Sequence, residues 1–126
     1  MNHPIGQFEF LDIALACARS GRAEPSTLLR ATRDFAEKDP QFAVEVGVES
    51  IRALLAGVSY ELPTGAQMSV HYDMVIGVAD RYGMGEMTKV ALSEMAYGSF
   101  GDRLLREALV RKLQQGSSPA TLERGN

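Results

Sequence analysis

Apolar residues recur along this chain every three or four positions, the spacing of helices with one buried face. "GQFEFLDIALACARSG" sets Phe8, Leu11, Leu15 and Ala18 on one side, with Glu9, Asp12 and Arg19 off it, and Gly21 as its stop. "EPSTLLRATRDFAEKD" restarts behind Pro25, a residue suited to a first helical turn, and carries Leu28, Leu29, Ala31, Thr32, Phe35 and Ala36. In "DPQFAVEVGVESIRALLAG" Asp39 is the N-cap, Pro40 opens the first turn and Gly57 is the stop. Glu45, Glu49 and Arg52 share one stripe of this helix, read as its solvated face. The opposite stripe, Ala43, Gly47, Ser50 and Leu54, is small enough to let another helix cross closely.

"SYELP" is the one stretch that reads as extended, ended by Pro63. Thr64 followed by Gln67 matches a capping box, so a fourth helix is predicted from there to Tyr82. Gly83 and Gly85 break the chain, a fifth helix covers about Glu86 to Tyr97, and a sixth runs from about Phe100 to Gln115 before Gly116. Leu105, Ala108, Leu109 and Leu113 form the apolar face of that last helix. The fold expected is all-α: a single-domain stack or bundle of five to six helices built from antiparallel hairpins over residues 1–115, with 116–126 a disordered tail. A weak internal echo relates "DIALACARSG" from Asp12 to "DMVIGVADRYG" from Asp73, as repeated hairpins would.

"ALACARSGRAEPSTLLRATRDFAEKDP" resembles one tetratricopeptide unit, about a quarter of the chain. Ala14, Cys17, Gly21 and Ser26 stand where that repeat has small residues or a glycine turn, and Asp39-Pro40 resembles its closing pair. Pro40 comes about two residues late, Arg30 replaces the usual aromatic, and later hairpins keep no such period. What the likeness implies is a helical-hairpin architecture of the kind that receives a peptide or helix in a groove.

With 126 residues, 45% hydrophobic and 23% charged, the composition is that of an ordinary globular domain. A formal charge of −3 argues against a general nucleic-acid binder, which needs a basic surface. No apolar run approaches the roughly 20 residues that span a bilayer. The single cysteine, Cys17, leaves no internal disulfide and reads as a buried thiol, and "MNHPIGQFEF" has no basic stretch followed by an apolar one, so a cytoplasmic location is expected.

Candidate chemistry centres on "SVHYDMVIGVADRYGMGEM". Helix residues two apart point nearly opposite ways, so His71 and Asp73 form no dyad. Ser69, Asp73 and Asp80 fall on the water side, and His71 among Met68, Val75, Val78 and Tyr82. A histidine there needs a hydrogen-bond partner, and a hairpin turning at Met84 would bring it level with Glu94 to Tyr97. His71, Tyr72, Glu94 and Tyr97 are therefore the residues that would line a small-molecule pocket. With only His3 and His71 and no Glu-x-x-His pair, no metal or other cofactor is expected.

Met68, Met74, Met84, Met87 and Met95 make the second half methionine-rich; Met84 and Met87, near two glycines, are the two expected to reach the surface. Acids outnumber bases from Asp34 to Ser99, whereas the last helix carries Arg103, Arg106, Arg111 and Lys112 against Asp102 and Glu107. Met84, Met87, Arg103 and Arg106 are accordingly the candidate partner-binding residues. "GMGEM" lacks the strand and Lys-Ser/Thr pair of a phosphate loop, and no Gly-x-Ser-x-Gly element is present. The expected function is a non-enzymatic protein-interaction or adaptor module, binding a protein partner or a second copy and neither nucleic acid nor membrane. The alternative is a regulatory ligand-binding domain with its pocket at His71 and Glu94.

Overall fold

A computed structural model describes residues 15, 16, 19, 23–57 and 63–125, the last ten of them by backbone alone. Among these residues the chain is all-helical, with five helices and no strand: α1 (Pro25–Phe35), α2 (Pro40–Ala56), α3 (Gly65–Arg81), α4 (Gly85–Ala96) and α5 (Arg103–Gly125). Leu15, Ala16 and Arg19 are helical ahead of α1. Cys17, Gly21 and nearly all of "SYELP" lie outside the described residues, as does the greater part of the first predicted helix.

The helix starts follow the sequence signals. Pro25 and Pro40 open α1 and α2, and Asp39 accepts the Phe42 amide at 3.1 Å. At α3 the capping box is complete: Thr64 Oγ1 accepts the Gln67 amide at 3.2 Å and Gln67 accepts the Thr64 amide at 2.9 Å. Gly57 ends α2 at φ 80°, a left-handed angle that glycine adopts without penalty. Gly116, by contrast, does not end α5, which continues to Gly125.

Successive helices pack against one another, and α2 and α3 form the central pair, each touching all of the other four helices. The main core gathers Ile51 and Leu54 from α2, Met68 and Val75 from α3, Leu92 from α4 and Leu109 from α5, all essentially inaccessible. A second cluster ties Leu15 and Leu28 to Phe42 and Val46 on α2. Phe35 and Phe42 close the α1–α2 turn edge to face, with ring centroids 5.1 Å apart.

The link from α4 to α5 is fastened to the end of α2. The Asp102 amide donates to the Leu55 carbonyl at 2.9 Å, and Gly101 lies so close to the Leu55 backbone, at φ 80°, that a side chain would collide with it. Asp102 then caps α5 by accepting the Leu105 amide at 2.9 Å. On α4 itself Leu92, Met95 and Ala96 are buried in the core, while Met87 and Val90 are exposed.

Candidate functional site

The small stripe of α2 does bring its neighbours close. A Cβ on Gly47 would stand 2.6 Å from a Val75 methyl on α3 and 2.7 Å from the Thr32 hydroxyl on α1. Three helices therefore meet at one backbone position. Thr32 donates to the Ala43 carbonyl at 2.9 Å, and Ser50 donates to the Gly47 carbonyl at 2.6 Å. His71 joins this seam, its Nδ1 3.0 Å from Ser50 Oγ. The serine has one proton, already directed at Gly47, so Nδ1 is the protonated nitrogen and donates to Ser50.

His71 is thus a core histidine 5% exposed, and burial lowers its pKa from 6.5 to about 4. Its partner lies on α2, whereas the hairpin reading places it at Glu94 or Tyr97 on α4. The reason is the direction of the seam: the face of α3 bearing His71 meets the small stripe of α2. Glu94 and Tyr97 point to solvent, Tyr97 with 63% of its surface exposed. The four residues of the expected pocket are therefore split, His71 and Tyr72 inside and Glu94 and Tyr97 outside. Ser50 and His71 resemble two members of a nucleophilic set, but Ser50 is fully buried and its oxygen is closed to a substrate carbonyl.

Tyr72 is buried at 4% exposure, and its hydroxyl has no hydrogen-bond partner among the described residues. Burial first, then Asp80 and Asp73, raises its pKa. Lys112 lies 5.7 Å over the ring while pairing with Asp73 at 3.0 Å. Replacing a buried, unbonded hydroxyl by hydrogen removes a desolvation penalty, so Tyr72→Phe should leave the denaturation midpoint unchanged or raise it by up to about 1 kcal/mol in stability. A loss of more than about 1 kcal/mol in a urea titration would show that the hydroxyl is bonded after all.

Glu49 departs from the sequence reading in the same direction as His71. It is buried at 6% exposure, where the charge stripe places it in water. Arg52 holds it at 3.0 Å and Arg19 at 3.7 Å, so two cations from different helices satisfy the carboxylate. Beside this cluster a cleft of about 310 Å³ separates α2 from α4, its apolar side formed by Val44, Val48, Met87 and Ala91.

On the far side of α4, an open groove of about 520 Å³ runs between α4 and α5, walled by Val90 and Tyr97 over Leu113 and rimmed by Glu86, Lys89 and Glu94. The crest between the two hollows is apolar: Met87 is 68% and Val90 59% exposed. Met87 reaches the surface as expected, whereas Met84 is half-buried against the cluster of Ala36, Ala43, Val44, Val78 and Ala79. Arg103 is exposed and pairs loosely with Glu107 at 3.9 Å. Arg106 is engaged within the chain, donating to the Phe100 carbonyl at 3.0 Å and to that of Gly101, because the turn before α5 leaves those acceptors open. Val90 is not among the candidates drawn from the sequence, although helical spacing alone groups it with Glu86, Met87, Glu94 and Tyr97.

Among the described residues no three His, Cys, Asp or Glu side chains converge as a metal ion requires, and no helix is long and apolar enough to cross a membrane. Comparison of the chain with protein-family models, with curated proteins and with solved structures gives no significant match.

Proposed function

We propose that the chain is a non-enzymatic protein-interaction module of the cytosol that docks through the outward face of α4. The observation that carries this reading is the row Met87, Val90 and Tyr97, three large apolar side chains each more than half exposed on one face of a short helix. Helical spacing aligns them, and a groove follows the row on either side. Exposure of this kind is costly in water unless something covers it. The ligand-domain reading is the less favoured of the two, because His71 and Tyr72 are buried while Glu94 and Tyr97 are exposed.

The test is photo-crosslinking from a reactive amino acid placed at position 90, with position 33 on the exposed side of α1 as control. A discrete adduct is expected from 90 and not from 33. Absence of any adduct specific to position 90 would sink the reading.

A further inference from the structure

We infer that the occupant of this α4 face is a second copy of the chain, docked antiparallel about a two-fold axis passing between Ala91 and Leu92. The inference rests on the docking role proposed above and adds the identity of the partner. Its grounds are the charges beside the apolar row. Glu86, Lys89 and Glu94 form no ion pair among the described residues, a state they share with Arg30, Lys38, Arg81 and Arg111, but on α4 both signs stand beside the exposed apolar row. The α4 face thus carries both signs of charge, unspent, around an apolar centre.

Their order along the helix is self-complementary in one orientation. With the axis between Ala91 and Leu92, Lys89 of each copy stands level with Glu94 of the other, so one contact is made twice. Glu86 stands level with the second copy's Tyr97, whose hydroxyl can donate to it. The two Val90 side chains are three residues, about 4.5 Å, apart along the axis, close enough to pack. A parallel pairing would instead set Glu86 against Glu86 and Glu94 against Glu94 and is disfavoured by repulsion. Each copy's crest also lies beside a groove, so the ridge of one copy has a hollow of the other to enter. One short helix face per subunit is a small interface, and the dimer should be weak and concentration-dependent.

The experiment is sedimentation equilibrium of the full chain across a concentration series, with Lys89→Glu, Glu94→Lys and their equimolar mixture. The native chain should approach twice its monomer mass as concentration rises. Each single substitution sets like charges opposite one another twice and should weaken association roughly tenfold or more. The mixture should recover it, because Lys89→Glu in one chain then faces Glu94→Lys in the other, and the remaining native Lys89 and Glu94 face each other. Glu94 is exposed and Lys89 half-buried, and unchanged circular dichroism would show that the fold survives. Recovery in the mixture supports the inference; a mixture that stays as weak as its components overturns it. A native chain monomeric throughout, yet giving a position-90 adduct to another protein, also overturns it and leaves the docking role standing. A monomer with no adduct removes both.

Discussion

Gly47→Val should be strongly damaging, lowering stability by about 3 kcal/mol or more. A Cβ there meets a Val75 methyl at 2.6 Å and the Thr32 hydroxyl at 2.7 Å, and neither neighbour can swing away. Valine is branched at the backbone and stiff. Thr32 is tied to the Ala43 carbonyl at 2.9 Å, and moving it would leave a buried hydroxyl unpaired. The two added γ-carbons must therefore push α1 and α3 off α2. For a domain of this size the melting temperature should fall by roughly 10 °C. Gly77→Ala is the control: nothing lies within 4 Å of its Cβ, so the usual gain in helix propensity, up to about 1 kcal/mol, should appear undiminished. Thermal melts followed by circular dichroism decide the matter. A Gly47→Val chain melting with the native one would mean that the three helices do not meet there.

The second large effect is acid instability set by His71. Its folded-state pKa is depressed to about 4 from 6.5, since burial disfavours the imidazolium. Between those values the unfolded chain binds a proton that the folded chain refuses, so stability rises with pH across the window. The contribution is whole above pH 6.5 and is lost progressively as pH falls towards 4. Allowing for partial screening by solvent, its size is on the order of 2 kcal/mol. Urea midpoints measured at intervals through this range should show the decline, and His71→Gln should remove that share of the pH dependence. A native chain equally stable at both ends of the window would contradict the buried, neutral assignment.

Much of this architecture is legible from local chemistry. Asp39, Thr64 with Gln67, Pro25, Pro40 and Gly57 act on their own neighbours in sequence, and each does what its type implies. The small stripe of α2 likewise signals a close crossing. What it does not say is which helix crosses. Periodicity places His71 on an inner face but does not choose between α2 and α4 as the surface it meets, and the partner is Ser50. Glu49 shows the same gap. Its stripe is polar and reads as solvated, yet Arg19 arrives from a distant part of the chain and covers it. Gly116 misleads for another reason: glycine permits a helix to end without requiring it, and α5 continues through it. The exposed row on α4 is recoverable from spacing; attention to glycine-flanked methionines selects Met87 but also Met84, which packs inward.

The picture that results separates two roles: a closed seam at Gly47, Ser50 and His71 that holds the helices together, and an open α4 face proposed to meet a second copy. One sedimentation comparison tests that separation, with native, Val90→Glu and His71→Gln chains run at equal concentration and their melting temperatures recorded. Val90→Glu should melt with the native chain and sediment as a monomer, whereas His71→Gln should melt lower and associate as the native chain does. The reverse pattern, with association following His71 and stability following Val90, would contradict it.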